Sequence, residues 1–107
     1  MQTPNTTTIA GITVPKTSAL APMAGVADTS YRQLCHEMGA VLCVSEMISA
    51  KGLCYDSKGS EALCRIRENE RPMGLQLFGN EPEFMARAVA MVQAYQPDWI
   101  DINMGCP

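Results

Sequence analysis

The sequence predicts an α/β protein of parallel strands alternating with helices, the first half of an eight-unit βα barrel. Three observations predict this. Short apolar runs suited to strands begin near residues 18, 41, 73 and 98. Between them lie stretches with helical spacing or helix-start signals, and such alternation places parallel strands inside and helices outside. The chain has 107 residues, whereas a closed eight-unit barrel takes about 250.

The elements follow in order. Residues 1–17, with Pro4, Pro15 and several threonines, read as a lead-in with a short strand near Ile12 and Val14. Residues 18–107 read as the barrel portion. SALAPM, residues 18–23, is the first core strand, and Pro22 ends it. Ala24 and Gly25 make a tight turn, and Asp28 or Thr29 caps a helix. Tyr31, Leu34, Cys35 and Met38 fall on one face of that helix, and Gly39 stops it.

VLCVS, residues 41–45, reads as a buried strand. Residues 46–72 are less regular, with helical turns around Met47, Ile48 and Leu53 and again over residues 60–65, then a solvated loop over residues 68–72. MGLQLF, residues 73–78, is the third strand. Asn80 with Glu83 reads as a capping box, with Pro82 in the first turn. Phe84, Met85, Ala88, Val89, Val92 and Tyr95 then form an apolar stripe. DWIDINMGCP, residues 98–107, begins as a strand and breaks at Asn103, Gly105 and Pro107.

Composition narrows the function classes. A hydrophobic content of 47% suits a globular protein, and a net charge of −3 predicts no intrinsic affinity for nucleic acid. No apolar run approaches the roughly 20 residues of a membrane span. The N-terminus carries no secretory pattern. Five cysteines and a single His36, without a C-x-x-C pair, argue against a metal site or a disulfide framework and for a reducing cytoplasm. Cys35, Cys43 and Cys64 read as small core residues, and Cys54 as a loop residue. There is no G-x-G-x-x-G and no P-loop pattern.

In a parallel βα architecture the chemistry sits at the carboxyl ends of the strands. Those ends supply Pro22, Met23, Ala24 and Gly25, then Ser45 and Glu46, then Gln76 and Phe78, then Asn103, Gly105 and Cys106. Alternation turns Leu75, Leu77, Ile100 and Ile102 toward the helices and Gly74, Gln76, Asp101 and Asn103 inward. Buried side-chain amides must be hydrogen-bonded. Two readings stand equally: Gln76 and Asn103 meet the edge of a planar heterocycle, or they bond to each other and to nearby backbone. Small residues at 24 and 25 admit a flat ring, or simply make a turn. Cys106 is the reactive candidate, a general acid or a structural thiol.

LAPMAGVADTSYRQLCHEMGA, VSEMISAKGL, GLQLFG and DINMGCP, in this order, resemble the opening half of the tRNA-dihydrouridine synthase family, bacterial type, over nearly all of the chain from about Ala19. The combination is specific, whereas GCP alone is not. The resemblance implies a TIM-barrel domain that binds FMN, is recharged by NADPH and reduces uridines of tRNA to 5,6-dihydrouridine. It carries Pro22, Met23 and Ala24 to the flavin-binding segment, Gln76 to an amide contact with the isoalloxazine edge, Asn103 to a contact near flavin and base, and Cys106 to the proton donor. Hydride would reach carbon 6 of uracil and the Cys106 proton carbon 5, after the base leaves its stack. The family's later lysine, phosphate-binding loops and helical RNA-binding domain have no counterpart here. The resemblance implies tRNA as partner, with neither membrane nor metal. An FMN barrel reductase of free pyrimidines and a catalytically silent module are the competing expectations.

Overall fold

The computed structural model describes residues 5–105. Its centre is a parallel sheet of β3 (Ser18–Leu20), β4 (Ala40–Val44), β5 (Ile48–Ser49), β6 (Met73–Phe78) and β7 (Trp99–Ile102). Gly74 is in register with Val44 and with Trp99, and Leu77 with Ile48 and with Ile102. A strand has two hydrogen-bonding sides, so β4 and β5 share one side of β6 and β7 takes the other. β3 pairs parallel to β4. Across the sheet the succession follows the chain, and the strands are parallel as the alternation predicts, but β5 is a fifth strand where a helical turn around Met47 and Ile48 is expected.

β6 is the central strand because its sequence permits burial on both faces. Met73, Leu75 and Leu77 are fully buried and cluster with Ala88 and Val92 of α4 (Pro82–Val92), Leu53 of α2 (Ala50–Cys54), and Ile48. On the opposite face Gly74 has no side chain, and the indole of Trp99 occupies the space a Cβ would take. Each large aliphatic residue buried here contributes roughly 1.5–3 kcal/mol of transfer free energy.

Several expectations need correction. The lead-in contains an antiparallel hairpin, β1 (Thr6–Ile9) with β2 (Ile12–Pro15), so the strand near Ile12 has a partner that the threonine run concealed. The first strand of the parallel sheet stops at Leu20, and Ser18 and Ala19 are exposed, β3 lying at the sheet's edge among the described residues. α1 (Thr29–Glu37) begins at Asp28, whose carboxylate accepts from the Tyr31 N–H. Its apolar face nevertheless lies outward. Leu34 is 55% and Met38 81% exposed, while Arg32 is buried.

Arg32 is buried because Glu70 is buried opposite it, in a Nε–Oε1 pair of 3.0 Å. Residues 68–72, expected to be solvated, therefore contain an inward anchor: Glu70 also accepts from Thr29 Oγ1 and the Arg67 N–H. α3 (Lys58–Leu63) begins earlier than the expected turn, and Cys54 ends α2 instead of lying in a loop. Cys43 and Cys64 are core residues, but Cys35 is only half-buried. α4 begins after Glu81 without a side-chain cap bond, so Asn80 builds no capping box. Its apolar stripe packs as expected, with Met85, Val89 and Tyr95 lying against the core.

Candidate functional site

The carboxyl ends of β3, β6 and β7 converge on a cavity of about 430 Å³ lined by Pro22, Ala24, Met47, Gln76, Ile102, Asn103 and Met104. One wall is the turn after β3. There the Val26 and Ala27 N–H groups both donate to the Met23 carbonyl. Gly25 takes φ +75°, a conformation that favours glycine. The wall that results is made of small side chains.

The other wall is amide. Gln76 is 7% exposed. Its Nε2 donates to Asp101 Oδ2 at 2.6 Å, and its Oε1 accepts from Asn103 Nδ2 at 3.4 Å. Asn103 Nδ2 also approaches Met47 Sδ at 3.7 Å, and its Oδ1 accepts from the Gly105 N–H. The alternative in which the two amides bond to each other is thus the one present. The 3.4 Å contact is long for an N–H···O bond, so the Asn103 amide gives way most readily to an incoming acceptor or donor.

Pro22, Ala24, Gln76 and Asn103 are therefore brought together. Met23 is not among the lining residues; it stands 38% exposed on the turn. Cys106, the expected proton donor, lies outside the described residues. Met47 and Met104 line the cavity although no sequence signal marks them for it, and Ser45, expected at the second strand end, lies beside it. The sequence pattern places Met47 in a helical turn, whereas it sits in the break between β4 and β5 and lines the cavity. Ser45 is wholly buried, and its Oγ accepts from the Gln76 N–H at 2.9 Å.

A larger cavity, of about 610 Å³, lies at the opposite end of the sheet among Ile12, Val14, Ala40, Val41, Pro72 and Asp98. It sits where the hairpin meets the amino ends of the strands, away from the convergent amides. Size does not make it the site, because active sites of βα architectures occupy the other end. Burial pushes the Cys43 and Cys64 thiols up to about 11, so both remain protonated near neutrality and neither is a nucleophile.

A parallel βα sheet with side-chain amides and a small-residue turn gathered at its carboxyl edge defines a βα protein with an amide-lined cavity at its strand ends. The chain belongs to the dihydrouridine synthase family: the pattern described as Dihydrouridine synthase (Dus) matches residues 19–107. It is 38% identical over 95 residues to tRNA-dihydrouridine synthase B of Pseudomonas aeruginosa, covering 89% of this chain and 29% of that protein. It is 41% identical over 88 residues to a probable tRNA-dihydrouridine synthase of Aquifex aeolicus, covering 81% and 28%. A Cryptococcus neoformans protein named tRNA-dihydrouridine(47) synthase [NAD(P)(+)] is 38% identical over 93 residues, covering 82% and 13%. The chain thus spans less than a third of the length of these relatives. No helix among the described residues is long and apolar enough to cross a membrane.

Proposed function

We propose that this chain is the flavin-facing part of an FMN-dependent tRNA-dihydrouridine synthase, with β3, β4, β6 and β7 as the first four strands of a TIM barrel. The convergence of Pro22, Ala24, Gln76 and Asn103 on one cavity carries the reading. The residues fit a flavin. A turn of small side chains lets a planar ring approach the backbone. The opposite amides offer a donor and an acceptor in one plane, matching a pyrimidine edge with adjacent N–H and C=O. Pro22 and Ala24 form the turn-side contact, and Met23 between them closes the turn through its carbonyl.

A flavin bound there supplies hydride for reducing the uracil 5,6 bond of a tRNA uridine, replenished from NADPH. The chain's own residues place the ring and deliver the proton. Gln76 fixes the ring edge while Asp101 holds its Nε2. Asn103 turns between the ring and the base. Cys106 follows Gly105 in sequence and, by the family resemblance, is the residue that donates a proton to carbon 5. Family membership and the relatives' names support uridine in tRNA as substrate.

Two measurements test this. Titration of the ¹⁵N-labelled chain with FMN is expected to shift the signals of Ala24, Gln76 and Asn103. Shifts confined to the cavity among Ile12, Val41 and Asp98 would overturn the site assignment. Joining this chain to the remainder of the Pseudomonas aeruginosa relative is expected to give dihydrouridine in tRNA, detected by mass spectrometry. In that fusion Cys106→Ala should slow reduction by roughly 10²–10⁴, and an unchanged rate removes the acid role from Cys106.

A further inference from the structure

The small-residue wall cannot hold itself in place. Pro22 and Ala24 carry no polar side-chain atom, and smallness is what admits a flat ring. Its anchor comes from the segment that follows β4. Glu46 Oε1 accepts from the Gly25 N–H at 2.6 Å. A carboxylate acceptor makes this a charge-assisted bond, stronger than its neutral counterpart. Beside Glu46, Ser45 accepts from the Gln76 N–H at 2.9 Å and donates to the Glu46 carbonyl at 2.8 Å, while its own N–H donates to Gly74 at 2.9 Å. The bonds form a continuous path from the amide wall, through residues 45 and 46, to the turn.

Glu46 does not line the candidate cavity. It lines a separate hollow of about 290 Å³ behind the turn, with Asp28, Thr29 and Arg32. The turn has a second tie there: Arg32 Nη1 donates to the Ala27 carbonyl at 2.7 Å, and Glu70 holds Arg32. Gly25 and Ala27 are thus fixed from behind and Ala24 is presented forward. We infer that Glu46 is a positioning residue that, with Ser45, sets the gap between the turn and the Gln76 wall and so sets the fit of the planar ligand. The inference rests on the flavin reading above.

The test compares Glu46→Ala, Glu46→Asp and Glu46→Gln in the ¹⁵N-labelled chain, with riboflavin as probe. In Glu46→Ala, and in Glu46→Asp whose carboxylate is one methylene short, Gly25 amide exchange is expected to rise about tenfold, the size of one lost charge-assisted bond. Leu75 and Leu77 amides should keep their protection, and riboflavin affinity should fall in parallel with the Gly25 effect. Glu46→Gln retains an acceptor oxygen and should stay within about threefold of the parent on both measures. Unchanged Gly25 exchange in Glu46→Ala and Glu46→Asp overturns the inference. So does a freed Gly25 with unaltered riboflavin affinity, or a Gln variant as impaired as the Asp variant. If riboflavin shifts no signal in the parent, the flavin reading fails for this chain. The Gln76 side-chain amide then decides the bridge: a shift on Glu46→Asp supports it, and no shift overturns it.

Discussion

At the scale of the residue, Arg32 shows most clearly how one side chain departs from its pattern. Helical spacing puts it opposite Tyr31, Leu34 and Met38, where a charged residue ordinarily meets water. Glu70 overrides that by offering a buried carboxylate 41 residues from Thr29 and 38 from Arg32. No local pattern exposes a pairing at that separation. Removing one member strands the other charge, which costs about 3–5 kcal/mol. Arg32→Ala should therefore lower the urea midpoint sharply, whereas Arg32→Met combined with Glu70→Met should lose less; equal losses would show that the charges do not act as a pair. The buried thiols give a second prediction. Cys43 and Cys64 have their pKa raised from 9.0 to about 11 by burial. The folded chain thus binds these protons more tightly than the unfolded one. Their contribution is intact below pH 9 and lost as pH rises toward about 11. Urea midpoints should fall between pH 9 and 11, and Cys64→Ala should flatten that fall relative to the parent.

At the scale of the element, legibility followed how an element is packed. α4 has one face on the core, so its stripe could be read directly; Ala88 and Val92 are wholly buried. β6 could be read because its apolar residues alternate against the same core. α1 misled for the converse reason. Its apolar face has no partner among the described residues, so amphipathic spacing gave the right helix and the wrong buried side. The hairpin was half legible: Ile12 and Val14 alternate, but β1 is rich in threonine, and the pairing that makes it a strand is tertiary. Capping was placed one residue early at α4, because Asn80 has the favoured side chain while the backbone enters the helix at Glu81. These differences have measurable consequences. Leu34→Glu and Met38→Glu should each change stability by no more than about 0.5 kcal/mol, as exposed substitutions do. Leu77→Ala should cost about 2–5 kcal/mol. Urea unfolding distinguishes the two classes, and a large loss at Leu34 would mean that the outer face of α1 is covered in solution.

At the scale of the whole molecule, the site was legible as a set of strand ends and illegible as a mesh of bonds. Alternation gave the inward turn of Gln76 and Asn103, yet nothing local predicts that Gln76 meets Asp101 or that Ser45 accepts from its backbone. The same scale governs ligand affinity. The cavity has a turn on one side and amides on the other, and its lining residues are Pro22, Ala24, Met47, Gln76, Ile102, Asn103 and Met104. None of these is cationic. On the proposed reading a flavin's ring would find complementary groups here, whereas its phosphate would meet no cationic side chain of this lining. β3 and β7 are each paired on one side only among the described residues, so the cavity is open laterally, unlike pockets that enclose most of a ligand. Two consequences follow from this geometry. FMN should bind this chain weakly, with a Kd of roughly 1 mM, about 4 kcal/mol. Riboflavin, which lacks the phosphate, should bind equally well if, as proposed, this lining meets the ring alone. Parallel titrations followed by flavin fluorescence and by the Ala24 and Gln76 signals measure both. An FMN affinity more than about tenfold above that of riboflavin, equivalent to 1.4 kcal/mol, would require a phosphate contact that this lining does not contain, and the placement of the ring between the turn and Gln76 would have to be abandoned.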